Sequence, residues 1–193
     1  MPAERSRTTC QVPADQLPAL LRAAPPRAGR TRVLAIDGRS GAGKTMLGGR
    51  LTRQMHAPCV SLEQLYGGWD GLQAGIERLI EEVLEPLAAG RPVAVPRYDW
   101  LARRWLAPDL LDAPPLLIVE GVGAGALAAA PHVSLLAWLE LSETARRERA
   151  LARDGSLYAG HWEMWRAQEE IYLAANRTAE RADVIVSGEM FEA

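Results

Sequence analysis

The chain has 193 residues, of which 24% are charged and 48% hydrophobic, and its 22 basic and 24 acidic residues give a formal net charge of −2. This composition is typical of a globular protein with one well-buried core, and it excludes general disorder and a generally basic nucleic-acid-binding protein. No apolar run reaches the roughly 18 residues of a membrane-spanning helix, and no apolar segment follows Arg5 and Arg7. We therefore expect a cytoplasmic protein, monomeric or homodimeric, that binds neither membranes nor nucleic acid.

The first 29 residues differ from the rest of the chain. They are rich in Pro, Ala and Arg and contain one short helical pattern, so we interpret residues 1–29 as an N-terminal segment that ends in a linker. The compact domain is expected over residues 30–193. The two cysteines, Cys10 and Cys59, lie far apart in the sequence, and His56 near Cys59 has no second pair of metal ligands. The cysteines therefore predict neither a disulfide framework nor a zinc site.

Short apolar runs alternate with helical patterns along the domain. Strands are predicted over residues 31–37, 59–62, 92–95, 116–119 and 133–139, with residues 183–186 as a further candidate. The main helices are predicted over residues 45–55, 71–89 and 142–153. Alternating strands and helices are typical of an α/β protein, here with a parallel five-stranded sheet covered by helices on both faces.

A phosphate-binding motif follows the first predicted strand. The pattern G-x-x-x-x-G-K-[ST] is matched by Gly38, Arg39, Ser40, Gly41, Ala42, Gly43, Lys44 and Thr45. Glycines allow backbone N–H groups to surround a phosphate, and the helix that follows directs its positive end toward it. Lys44 would contact the β- and γ-phosphates, and Thr45 would bind Mg²⁺. Lys44 is the one lysine among 22 basic residues, as expected where a compact ammonium is needed inside a tight backbone loop.

A second glycine-rich segment follows the fourth predicted strand. Residues 121–126 fit G-x-G-x-x-[GA], and Glu140 lies 19 residues after Gly121, which is the pattern of a dinucleotide-binding protein. Pro131 limits the intervening helix to about two turns, which is short for a dinucleotide fold. Glu120, which closes an apolar strand beside the phosphate loop, is better explained as a ligand of Mg²⁺ or of its water shell.

Taken together, these residues resemble the P-loop kinase superfamily and, within it, the uridine kinase-like family of nucleoside and small-metabolite kinases. The resemblance spans roughly residues 32–188. Besides the phosphate loop it depends on the sequences at residues 61–66, 69–70, 96–100, 118–121 and 149–154 and on the segment 182–186, in the family's order. It implies a three-layer P-loop NTPase fold with a small helical lid at about residues 146–172.

The resemblance also implies roles for residues on the acceptor side. Glu63 matches the acid that accepts the proton of the acceptor hydroxyl, although it could instead be an acid in the first turn of a helix capped by Ser61. Asp70 matches an acid that contacts the acceptor hydroxyls, or is a turn residue. Tyr98 and Asp99 match a Tyr-Asp step beside the acceptor, or are an ordinary loop aromatic and a solvated acid.

Further residues are expected near the acceptor and the lid. Trp100 is assigned to the acceptor site, as is Arg103, which replaces a family His that reads a pyrimidine base and would suit an acceptor with a carboxylate or phosphate. In the lid, Arg149 and Arg153 would stabilise the transferring phosphoryl group, or would form ion pairs on a solvated helix. Five of the six tryptophans fall in these segments, which indicates an aromatic acceptor pocket or a packed lid helix.

The sequence thus predicts a kinase that uses ATP and Mg²⁺ to phosphorylate a hydroxyl of a small molecule, with nucleoside-like compounds among the candidates. A regulatory ATP-binding protein, or slow ATPase, without an acceptor is the first alternative. A NAD-dependent oxidoreductase is the second alternative.

Overall fold

The computed structural model describes residues 10–149, residue 152 and residues 160–190. Its strands are β1 (Cys10–Gln11), β2 (Arg32–Asp37), β3 (Cys59–Ser61), β4 (Val93–Asp99), β5 (Arg104–Leu111), β6 (Leu116–Glu120), β7 (Leu135–Glu140) and β8 (Val184–Ser187). Its helices are α1 (Leu17–Ala23), α2 (Lys44–Met55), α3 (Leu72–Arg78), α4 (Glu85–Ala88), α5 (described over 143–149), α6 (Trp162–Asn176) and α7 (Thr178–Arg181). A π-helical turn, Leu79–Leu84, joins α3 to α4.

The main sheet is parallel and has the strand order β1-β8-β7-β2-β6-β3. Its central strands are apolar and buried, as expected when helices cover both faces of a parallel sheet. The predicted α/β fold with a five-stranded parallel sheet is therefore confirmed. The two-residue strand β1 adds a sixth strand at the edge next to β8.

The prediction for residues 92–95 was wrong in one respect, because they form a strand outside the parallel sheet. They begin β4, which pairs antiparallel with β5 in a separate two-stranded ribbon. Pro96 explains the difference, since a proline has no N–H group to donate within a central strand. The register of the ribbon shifts between Val95 and Arg97, on either side of this proline.

Two apolar clusters lie on the two faces of the sheet. One is formed by the segment from α3 to α4 and by parts of β4, β6 and α6. The other contains α2 together with residues that precede β2, including Leu17 and Leu21 of α1, which are fully buried. The buried residues of α1 therefore pack on the same core as the rest of the domain. Within the part of the chain that the structure describes, no helix is long and apolar enough to cross a membrane.

Candidate functional site

The phosphate-loop sequence connects the end of β2 to the start of α2, which begins at Lys44. Gly43 has a φ of 98°, a left-handed conformation that favours glycine, and a Cβ on Gly41 would come within 2.2 Å of the carbonyl oxygen of Arg146. The Lys44 Nζ atom turns back over the loop and donates to the carbonyl oxygen of Arg39 at 2.9 Å. The backbone thus has the order of strand, glycine-rich loop and helix that the phosphate-binding motif predicts.

Lys44 lies among carboxylates. Burial lowers its pKa, and the charges of four surrounding acids oppose this shift. In order of decreasing effect, these acids are Glu169, Glu120, Asp37 and Glu63. The ammonium group of Lys44, the one lysine of the chain, is therefore buried and surrounded by carboxylates.

The Thr45 hydroxyl faces Glu120, the last residue of β6. Its Oγ1 atom lies 3.3 Å from both carboxylate oxygens of Glu120, which is 2% exposed. Burial raises the pKa of Glu120, while hydrogen bonds from Ser61 and Thr45 and the charge of Lys44 oppose this. No group of three or more His, Cys, Asp or Glu side chains suited to a metal occurs among the described residues. A hydroxyl and a carboxylate suit Mg²⁺, which takes few protein ligands and completes its shell with phosphate oxygens and water.

Glu63 lies at the same edge of the sheet as the phosphate loop. It is exposed and belongs to a single 3₁₀ turn, Leu62–Gln64, directly after β3, and the Ser61 side chain does not cap this turn. The indole Nε1 of Trp100 donates to the backbone carbonyl of Glu63 at 2.9 Å. This bond fixes the ribbon of β4 and β5 beside Glu63.

The remaining acceptor-side residues predicted from the sequence are spread over two turns. Asp99 caps the turn of the ribbon, because its Oδ1 atom accepts the N–H groups of Leu101 and Ala102 at 3.0 and 2.9 Å. Arg103 is exposed in the same turn with a left-handed φ of 50°. Asp70 is exposed and precedes α3. The structure therefore brings Trp100 to Glu63, whereas Asp99 has a structural contact of its own.

Aromatic side chains gather next to Glu63. Trp69 stacks on His161 with ring centroids 4.6 Å apart, and it meets the edge of Trp100 at 5.1 Å. Trp165 lies 6.4 Å from Trp69 and 4.9 Å from Tyr66. We call Trp69, Trp100, Trp165 and His161 the aromatic cluster. Trp165 is buried whereas Trp69 and Trp100 are only partly buried, so the cluster is both a packing element and an accessible surface.

Tyr98 continues this aromatic arrangement along the ribbon. Its ring meets the edges of Trp100 at 5.6 Å and Trp105 at 5.1 Å. The Arg78 guanidinium lies 4.6 Å from the centre of the Trp105 ring, a cation–π contact that attaches the ribbon to α3.

One of the two lid arginines predicted from the sequence, Arg149, lies within the described residues. Arg149 donates to the carbonyl oxygen of Gly188 at 2.9 Å rather than to the phosphate loop, and Arg153 lies outside the described residues. Of the predicted lid, residues 146–149, 152 and 160–172 are described. Among the described residues, Arg146 contacts the phosphate loop, because its Nη1 atom donates to the Ser40 carbonyl at 3.3 Å.

Two acids that sequence reasoning missed also shape the loop. Glu169 of α6 accepts the backbone N–H of Ser40 at 2.8 Å. Asp37, fully buried at the end of β2, accepts the N–H groups of Gly38, Gly123 and Gly125 and the Tyr172 hydroxyl. Burial raises the pKa of Asp37, and the hydrogen bonds from Tyr172, Gly125 and Gly38 oppose this shift.

The Asp37 contacts also bear on the dinucleotide-binding pattern at residues 121–126. Two N–H groups of that segment are bound to Asp37, and a 3₁₀ helix interrupted by a proline follows it, Leu127–His132. A dinucleotide fold would direct a regular helix at the pyrophosphate instead. This geometry disfavours the oxidoreductase alternative.

Comparison with known proteins identifies the fold. No known family profile matches the sequence, and no curated protein matches it. A solved structure of a possible uridine kinase from Bacillus stearothermophilus is 21% identical, with a TM-score of 0.60 over 81% of this chain and 88% of that one. A protein provisionally named a fructose transport system kinase, from Silicibacter sp. TM1040, is 18% identical, with a TM-score of 0.58 over 90% of this chain and 97% of that one. The chain has the fold of these two proteins, as the resemblance implied.

Proposed function

We propose that this protein is an ATP- and Mg²⁺-dependent phosphotransferase that acts on a hydroxyl group of a small molecule. The proposal is carried by one observation, that three groups suited to phosphoryl transfer lie at one edge of the sheet. They are the phosphate loop with Lys44, the Thr45–Glu120 pair, and the exposed Glu63. The similarity of the fold to two proteins named as kinases supports it.

The roles of these groups follow from the charge that develops during phosphoryl transfer. The transition state is loose and spreads negative charge over the γ-phosphoryl oxygens, so catalysis consists of positioning and charge stabilisation. Lys44 would contact the β- and γ-phosphates from the loop. Thr45 and Glu120 would hold Mg²⁺, which neutralises phosphate charge when bound. Glu63 is the group best placed to accept the hydroxyl proton, because it is exposed and lies on the same side as Lys44.

The acceptor would lie against the aromatic cluster. The indole of Trp100 is hydrogen-bonded to the backbone carbonyl of Glu63. A molecule in contact with this indole would therefore present a hydroxyl close to the Glu63 carboxylate. Flat indole faces favour a planar or apolar acceptor, including a nucleoside base. Asp70, Tyr98 and Arg103 would contact its polar groups from the two turns that flank the cluster.

The test is ADP release from Mg-ATP in the presence of a panel of nucleosides, sugars, sugar acids and vitamins. We expect at least one compound to stimulate ADP release and to gain a phosphate, as detected by mass spectrometry. Lys44→Ala should abolish this transfer, whereas Arg50→Ala, an exposed change on the same helix, should not alter it. Full activity of Lys44→Ala would refute the proposed site.

A second variant tests the base. Glu63→Gln should reduce turnover by roughly 10²–10⁴-fold with little change in ATP affinity, since general-base catalysis contributes about that much. Glu77→Gln, an exposed change on α3, is the matched control. Unchanged turnover of Glu63→Gln would remove the assignment of Glu63 as the base.

Two results would favour the alternative functions. ATP binding without transfer to any compound would favour the regulatory alternative, and thermal stabilisation by NAD but not by ATP would favour the oxidoreductase.

A further inference from the structure

The strongest unassigned feature is Glu169, a carboxylate that contacts the phosphate loop from a distant helix. It is 2% exposed. Its Oε1 atom accepts the backbone N–H of Ser40 at 2.8 Å and the indole N–H of Trp165 at 3.0 Å. The same indole N–H lies 2.8 Å from the Ser40 hydroxyl oxygen. Ser40 is therefore held to α6 through both its backbone and its side chain.

The chemistry of this contact is that of phosphate binding. A phosphate loop binds its ligand by directing backbone N–H groups at anionic oxygens, and Glu169 supplies an anionic oxygen to one of these groups. The carboxylate also has the largest effect among the four acids that surround Lys44. A buried carboxylate is costly unless it is paired and hydrogen-bonded, and here the loop and the lysine provide both.

The same face of α6 also contacts the acceptor side. Trp165, Gln168, Glu169 and Tyr172 have the i, i+3, i+4, i+7 spacing that places residues on one face of a helix. The Gln168 Nε2 atom donates to the Trp69 carbonyl at 2.7 Å, and Trp165 belongs to the aromatic cluster. A single helix thus connects the Ser40 N–H group with Trp69.

We propose that Glu169 competes with nucleotide phosphate for the Ser40 N–H group, so that nucleotide binding displaces Glu169 and, through α6, repositions Trp69 for the acceptor. This inference rests on the proposed nucleotide site. Glu169 is a positioning residue, because it acts through the loop and the helix rather than on the reacting atoms. The contact is broken when phosphate binds, so it opposes nucleotide affinity and couples the nucleotide site to the acceptor site.

The test compares the affinity of the full-length protein and its Glu169→Gln variant for Mg-ATP by isothermal titration calorimetry. Glutamine keeps the size and one acceptor oxygen of the side chain but removes its charge. We therefore expect the Glu169→Gln variant to bind Mg-ATP about 10-fold more tightly than the parent protein. Glu170→Gln, the adjacent exposed acid that pairs with Arg166, should bind as the parent does. Trp165→Phe, which removes the indole donor to Glu169, should also bind Mg-ATP more tightly, and it keeps the test valid if Glu169→Gln folds poorly.

Hydrogen–deuterium exchange provides a readout that a purely structural role would not produce. Mg-ATP should slow exchange in the phosphate loop and accelerate it in α6 of the parent protein. Equal or weaker Mg-ATP binding by both variants, or unchanged or slower exchange in α6, would overturn the inference while the proposed function stands. Failure of the parent protein to bind Mg-ATP at all would instead refute the proposed function.

Discussion

The hydrogen bond between Tyr172 and Asp37 joins α6 to the residue that precedes the phosphate loop, and its removal has a calculable cost. The Tyr172 hydroxyl donates to the Asp37 Oδ2 atom at 2.6 Å and accepts the Thr178 hydroxyl at 3.0 Å, and all three residues are buried. The other hydrogen bonds to Asp37 come from the N–H groups of Gly38, Gly123 and Gly125, which are donors too, so its ionised form fits the geometry. A hydrogen bond to a charged group contributes about 1.5–3 kcal/mol. For a domain of this size, Tyr172→Phe should therefore lower Tm by roughly 3–12 °C.

Tyr66→Phe is the matched comparison. The Tyr66 hydroxyl is also buried, but it donates to a neutral acceptor, the Val122 carbonyl, at 2.8 Å. A neutral bond contributes only about 0.5–1.5 kcal/mol, which corresponds to a fall in Tm of roughly 1–6 °C. Urea unfolding and differential scanning calorimetry measure both variants. A loss in Tyr66→Phe equal to or larger than that in Tyr172→Phe would refute the view that Asp37 is a charged anchor.

Two further predictions concern groups whose pKa values are shifted by burial. Because burial raises the pKa of Glu120, the stability that this group contributes is present below its ordinary pKa and is lost as the pH rises. Glu120→Gln should therefore have a higher Tm than the parent at pH 7 without Mg²⁺, and the difference in Tm should be smaller near pH 4. The same variant should lose Mg-ATP turnover. A Tm below that of the parent at pH 7 would contradict this reasoning. Burial, aided by the charge of Glu120, raises the pKa of Cys59 to about 12 from 9.0. In a Cys10→Ser background, alkylation by iodoacetamide at pH 8 should be up to about 1000-fold slower in the folded protein than in urea, and equal rates would exclude this shift.

The parts of the fold and site that the sequence predicts are those determined by neighbouring residues. The phosphate loop is read from eight consecutive residues between an apolar strand and a helix, so no long-range contact is needed to find it. Glu120 is found in the same way, because it ends an apolar run and parallel strands end at one edge of the sheet. The helix of residues 71–89 has the right periodicity, although its π-helical turn at Leu79–Leu84 has no local signal.

The parts that the sequence does not predict depend on contacts between distant segments. Glu169 and Ser40 are 129 residues apart, and Asp37 and Tyr172 are 135 apart. In the sequence, Glu169 and Glu170 are two adjacent acids on an amphipathic helix. Only the structure distinguishes them, because Glu169 is buried and Glu170 is exposed. Asp99 shows the opposite case, since the two N–H groups that it caps belong to its near neighbours Leu101 and Ala102.

The charges around Lys44 affect how a nucleotide could bind at the site. Lys44 is surrounded by Asp37, Glu63, Glu120 and Glu169. These four acids outnumber the basic side chains of Lys44, Arg39 and Arg146 at the loop that would receive a nucleoside triphosphate. Adding phosphate groups there is unfavourable unless a cation enters with them or a carboxylate leaves. Asp37 is fixed by four donors, and Glu120 and Glu63 have proposed roles in transfer. In the proposed reaction, Glu169 would therefore be the acid whose departure costs least, and Mg²⁺ held by Thr45 and Glu120 would be the cation whose arrival compensates most.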